Sequence, residues 1–149
     1  MTQIVTNRKA FHDYAILQKF EAGIVLRGSE IKSIRNHGVS LQDSFVIPEE
    51  NELWLLNCTI APYSHSGSFS HEERRKRKLL MHKNEILRMK KALQEKGVSL
   101  IPLSLYFKKG KIKVEVALAK GKKSFDKRQA IKEREEKRSI GRAVRQEKE

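Results

Sequence analysis

The chain has 149 residues, room for one compact domain and a tail but not for two domains. Its 32 Lys and Arg against 18 Asp and Glu leave a net charge of +14, an attraction to polyphosphate that points to nucleic acid without separating RNA from DNA. A single cysteine, Cys58, excludes a disulfide framework and a Cys-based zinc site.

Residues 1–11 are polar and basic and are expected to form a loose lead-in. The start "MTQIVTNRKAFHDY" carries no apolar leader stretch and no apolar run reaches membrane length, so a cytoplasmic protein is expected. In "DYAILQKFEAGIVLRG" the β-branched and aromatic residues predict two strands, or one bent strand with a bulge at Gly23. "SEIKSIRNHG" predicts a short helix, with Ser29 as N-cap, Ile31 and Ile34 on one face, Lys32 and Arg35 on the wet side and Gly38 as the stop.

"DSFVI" and "ELWLLNCTIA" are strand candidates separated by a turn at Pro48-Glu49-Glu50-Asn51. "YSHSGSFSHEERRKRK" lacks periodicity and is expected to be a long exposed loop. "NEILRMKKALQEKG" places Ile86, Met89 and Leu93 at helical spacing, with Gly97 closing the helix. "KIKVEVALA" alternates with period two, burying Ile112, Val114, Val116 and Leu118 and leaving Lys111 and Lys113 on a wet face. "VSLIPLSLYF" pairs with it through the turn at Lys108–Lys111. Short strands with interspersed helices predict a small antiparallel barrel of the nucleic-acid-binding kind.

No chemistry-bearing motif appears. His12, His37, His65, His71 and His82 form no metal-ligand pair, and neither a P-loop, a dinucleotide fingerprint nor a nucleophile elbow is present. An enzyme is therefore not expected, nor is a cofactor or a metal. The basic features are a five-cation run from Arg74 to Lys78, the hairpin lysines and the tail. The run is a solvated charge cluster or a phosphate clamp through Arg75, Arg77 and Lys78. From Lys120 onward the chain carries 12 Lys and Arg against 6 Asp and Glu, too little apolar surface for a core. The tail is a nonspecific basic extension, or a segment of good helix formers that folds only along a partner. It lacks the apolar face of a membrane-surface helix, so no membrane partner is expected.

"NRKAFHDY", "FEAGIVLRGSEIKSIR", "RKRKLLMH", "LSLYFKKGKIKVEVALAKGKK" and "DKRQAIKERE" occur in an order that resembles the SmpB family, the tmRNA-binding (SsrA-binding) proteins of bacteria, from about Asn7 to Glu135. The resemblance implies an OB-like β-barrel flanked by three helices over residues 1–123 and a basic tail over 124–149. It implies a non-enzymatic protein that binds the tRNA-like domain of tmRNA and stands in for the missing anticodon arm on stalled ribosomes. The elongation factor that delivers aminoacylated tmRNA is a further partner raised by the resemblance, which the residues themselves do not show.

Residue by residue, the resemblance implies an RNA-binding face at Asn7, His12, Glu21, Leu80, His82, Lys113 and Lys123, completed by Lys122. Glu21 and Asn7 would hydrogen-bond base edges or 2′-hydroxyls, and the lysines would neutralise phosphates. Asp126, Lys127 and Arg128 match an element near the decoding centre, with Phe125 where the family commonly has His or Tyr. Phe keeps base stacking, worth about 1–3 kcal/mol, and loses the ring hydrogen bond. Ile131, Lys132, Arg134, Ile140, Ala143 and Val144 fall on the tail helix expected in the empty mRNA channel. Relatives place a Trp near Glu136 and bulkier apolar residues near Ala143-Val144.

Overall fold

A computed structural model describes residues 2–63 and 71–122. In chain order these residues form β1 (Thr2–Thr6), α1 (Arg8–Asp13), β2 (Tyr14–Ile24), α2 (Gly28–Arg35), β3 (Val39–Ser40), β4 (Phe45–Glu49), β5 (Glu52–Leu56), β6 (Thr59–Ile60), β7 (Arg77–Leu80), α3 (Lys83–Ala92), β8 (Val98–Lys108) and β9 (Lys111–Gly121). Strands pair antiparallel in the order β8-β4-β5-β7-β2-β9, and β9 returns to β8. That ring is the expected small OB-like barrel. β1 adds to β8 outside the ring, and β3 pairs with β6 in a separate two-stranded sheet.

Closure of the ring explains the apolar alternation. Phe20, Val46, Leu53, Leu55, Leu79, Leu100, Leu105, Val114, Val116 and Leu118 meet in one core, joined by Ile34 of α2 and by Ile86 and Met89 of α3. Each such buried side chain contributes roughly 1.5–3 kcal/mol relative to exposure. The opposite face of β9 is only partly wet, because Ala117 and Ala119 are fully buried with Ala10, Ile101 and Leu103 in a second cluster that includes α1. Small residues let the helix lie close to the sheet.

The β8–β9 hairpin turns through Lys109 and Gly110, whose φ values of 50° and 75° match the two left-handed residues of a type I′ turn. The β4–β5 hairpin does the same with Glu50 and Asn51 at 50° and 67°, so Pro48 belongs to β4, opposite Leu53, rather than to the turn. α3 buries Ile86 and Met89 as its spacing requires and ends at Ala92, ahead of the left-handed Gly97.

Four local expectations are corrected. Residues 2–6 and 8–13 are not a loose lead-in: β1 pairs with β8, and α1 is capped by Asn7. The irregularity in β2 falls between Ile16 and Gln18, not at Gly23, so the stretch is one strand with its extra residue at Leu17. α2 begins two residues earlier than Ser29 predicted: Arg27 is the N-cap, and its backbone N–H donates to Glu30 Oε1 at 2.8 Å. At its far end His37, not Gly38, takes the left-handed conformation (φ 60°). The amides of His37 and Gly38 then close a Schellman pattern on the carbonyls of Ile34 and Ser33. Gly38 is needed for space, since a Cβ there would lie 2.8 Å from Ser33 Oγ.

Candidate nucleic-acid interface

The end of the cation run is taken apart by the pleat of β7, which it enters at Arg77. Successive side chains point to opposite sides of a strand, so Arg77 and Leu79 go inward while Lys78 and Leu80 face out. Arg77 is fully buried: its Nε donates to Glu30 Oε2, Nη1 to the Cys58 carbonyl at 2.8 Å, and Nη2 to the carbonyls of Glu72 and Glu73 at 3.3 and 3.1 Å. A buried guanidinium is tolerated only with such complete pairing. Arg77 is thus withdrawn from the phosphate clamp that its place in the run suggested. Arg75 Nη2 pairs with Glu30 Oε1, at a side-chain exposure of 23%. Lys76 pairs with Glu49 and lies 4.5 Å over the Trp54 ring, and Lys78 pairs with Glu52 at 3.0 Å. Most of the run is therefore bound to the barrel itself.

Burial pushes the Glu30 carboxyl up, but hydrogen bonds from Arg75, the Arg27 backbone and Arg77 outweigh it and hold the group below the usual carboxylate range. Beside it, burial pushes the Cys58 thiol up to about 11, which keeps it protonated and inert.

A second set of predicted residues does converge. Gly23 pairs with Leu80 on one side and Lys113 on the other, which sets those two side chains on one face of β7, β2 and β9 with no side chain between them. Leu80 is 51% exposed, a large apolar side chain that no core requires outside. Gly23 leaves it room, for a Cβ there would lie 3.3 Å from Leu80 Cβ. The three residues border an open groove of about 360 Å³, with Ile31, Phe107 and Ile112 as apolar walls and Arg35, Lys111 and Lys113 as cations. None of these three cations forms an ion pair among the described residues.

Two residues from Gly23 along β2, Glu21 accepts from the Tyr106 hydroxyl at 2.6 Å and from Lys108 Nζ at 3.1 and 3.3 Å. The Tyr106 bond first, and then the Lys108 bond, hold the Glu21 carboxyl below the usual range. Burial, and then Glu21, push the Tyr106 hydroxyl up, so it stays a donor.

The remaining predicted residues lie elsewhere. Tyr14 is seven residues from Glu21 along β2, about 23 Å of strand, and α1 sits at that end. There His12 Nδ1 meets Asp13 Oδ1 at 2.9 Å, the Lys122 amide donates to the Asp13 carbonyl at 2.8 Å, and Lys122 Nζ reaches the Phe11 carbonyl at 3.3 Å. Asn7 is 6% exposed; its side chain accepts from the Ala10 amide and donates to the Pro102 carbonyl at 3.0 Å. Its backbone amide binds the Leu103 carbonyl, at the irregularity of β8 between Pro102 and Ser104. Asn7 is a strut for that bulge, not an exposed RNA contact. His82 is exposed as the N-cap of α3, two residues beyond Leu80.

Lys123, the Phe125–Arg128 element and the tail positions from Ile131 to Val144 lie outside the described residues. Sequence reasoning missed Tyr106 and Lys108, whose link to Glu21 spans 85 residues or more of chain. The only sequence signal was parity, since alternate residues of β8 share a face. Among the described residues no group of three His, Cys, Asp or Glu side chains could hold a metal, and no helix is long and apolar enough to cross a membrane.

The family model for SmpB protein matches residues 4–146. An SsrA-binding protein of Protochlamydia amoebophila (strain UWE25) is 59% identical over 145 residues, covering 97% of this chain and 95% of that protein. One from Carboxydothermus hydrogenoformans is 54% identical over 142 residues, 95% of each chain. The fold also matches a chain of the solved structure "tmRNA-SmpB: a journey to the center of the bacterial ribosome", with TM-score 0.69, 46% identity, and coverage of 82% of this chain and 86% of that one. These are RNA-binding proteins rather than enzymes, and on both sequence and fold the chain belongs to the SmpB family.

Proposed function

We propose that the chain binds the tRNA-like domain of tmRNA and promotes its stable association with stalled ribosomes, acting in the cytoplasm in ribosome rescue by trans-translation. The observation that carries this is the outward face where Glu21, Leu80 and Lys113 meet beside a cation-rimmed groove, in a chain whose relatives are SsrA-binding proteins. An exposed leucine suits the face of an unstacked base, and flanking lysines suit its phosphates. The α1 end, with His12 and Lys122, forms a second contact along the same β2–β9 ribbon. His82, Lys78 and Lys123 extend the face.

In this reading the protein occupies the place of the anticodon arm that tmRNA lacks. Phe125, Asp126, Lys127 and Arg128 contact the small-subunit decoding centre, and Ile131 onward forms a helix in the empty mRNA channel. The elongation factor that delivers aminoacylated tmRNA is the third partner. A chain truncated after Lys123 is expected to bind tmRNA as the full chain does and to fail in tagging on stalled ribosomes. Loss of RNA binding on that truncation would count against the division between barrel and tail. Glu21→Ala should weaken binding of the tRNA-like domain by roughly 1.5–3 kcal/mol, the value of a hydrogen bond to a charged group. An unchanged dissociation constant at fixed salt removes Glu21 from the site.

The net charge of +14 supports a second reading, a barrel held to any RNA by charge alone. Competition between the tRNA-like domain and unrelated RNA at physiological salt separates the two: charge-only binding shows no preference.

A further inference from the structure

The ladder gives Glu21 an unusual neighbourhood. It stands opposite Glu115 on β9, while Tyr106 of β8 stands opposite Lys113, so the Tyr106 hydroxyl crosses the whole width of β9 to reach it. The span between β8 and β2 is about 10 Å. Tyr106 is itself 5% exposed, its ring locked by packing, and only its hydroxyl serves Glu21. Lys108, from the end of the same strand, donates to both carboxylate oxygens.

An ionised carboxylate offers about four acceptor sites, two on each oxygen. Oε2 takes Tyr106 at 2.6 Å and Lys108 at 3.1 Å, which fills it. Among the described residues Oε1 takes only the longer 3.3 Å contact from Lys108, which leaves it an open acceptor site, on a side chain that is 39% exposed. A carboxylate so arranged has no room for the two parallel bonds of a guanine edge.

We infer that Tyr106 and Lys108 are positioning residues of the RNA face, holding Glu21 so that Oε1 accepts one O–H or N–H donor from RNA. This rests on the proposed RNA-binding role of Glu21. A freely rotating surface carboxylate would have to be ordered, at an entropic cost, on each encounter with RNA. Here two donors from a rigid strand have already ordered it. Neither donor needs to touch the RNA to matter.

The test uses the full chain, with the tRNA-like domain of tmRNA and an unrelated duplex RNA of equal length at one salt concentration. Tyr106→Phe keeps the packed ring and removes the hydroxyl. It is expected to weaken binding of the tRNA-like domain by about tenfold, leave the duplex unchanged, and cause no further loss on a Glu21→Gln background. Carboxyl-carbon NMR should show Glu21 titrating at higher pH in Tyr106→Phe than in the parent, a signature that loosened packing alone does not produce. An equal loss on the duplex, the same tenfold loss on the Glu21→Gln background, or an unmoved Glu21 titration overturns the assignment. If Glu21→Gln weakens binding but Tyr106→Phe does not, the positioning role alone falls. If Glu21→Gln itself changes nothing, Glu21 leaves the RNA site and the inference falls with it.

Discussion

The five cations of Arg74 to Lys78 and the scattered Lys111 and Lys113 invert what charge density suggests. In the dense run, Arg75 and Arg77 hold a fully buried Glu30, and Lys76 and Lys78 pair with carboxylates of the neighbouring hairpin. On the sparse strand, Lys111 and Lys113 keep their charge available beside an apolar groove. A cation's value to a polyphosphate depends on whether a carboxylate of its own protein already holds it. Where the run enters β7, the pleat turns Arg77 inward and Lys78 outward, and ahead of the strand Arg75 and Lys76 are each taken by a carboxylate, so the run does not present one charged face.

Variants at the two regions should therefore fail differently. Arg77→Ala leaves Glu30 buried with its Oε2 unpaired and only Arg75 left of its two arginines, with an expected loss of about 3–5 kcal/mol of stability by denaturant unfolding. If the variant unfolds like the parent but binds RNA poorly, Arg77 is an RNA contact and the contrast collapses. Acid should reach the same pair. Because the folded protein holds Glu30 below the usual carboxylate range, that contribution is fully present above the usual range. It is lost as pH falls through the usual range and then through the folded value. Glu30→Gln should flatten this part of the acid-unfolding profile; an identical profile would mean that other carboxylates govern it.

Lys113→Met should leave stability nearly unchanged and lower the slope of log affinity against log salt by about 1, as expected for one lost phosphate contact. An unaltered slope would take Lys113 off the RNA. The smallest effect belongs to Lys78→Met, because its bridge to Glu52 is an exposed pair, worth roughly 0–1 kcal/mol. A loss well beyond that would show that the run acts as one cooperative network.

Much of the barrel was legible because its elements obey local rules. The β8–β9 hairpin announced itself through strict alternation and a Lys-Gly turn, and α3 through the spacing of Ile86 and Met89. Elements that depend on distant partners were not legible. β1 looks like a loose polar segment until β8 lies beside it, and α1 has too few residues to show periodicity. The candidate site divides along the same line. Glu21 and Lys113 could be named from resemblance, whereas Asn7 could not be known as a strut without the β8 carbonyls it binds.

By itself the sequence determined the charge that suits a polyphosphate partner, the alternating apolar faces that must close on one another, and the motifs that mark the family. Each is a property of composition or of neighbours a few residues apart. Only the tertiary structure decided which cations remain free, why Leu80 stands exposed beside Gly23, and which donors hold Glu21. Those outcomes depend on pairing across strands far apart in the chain, where one residue's parity decides between a buried ion pair and an open surface.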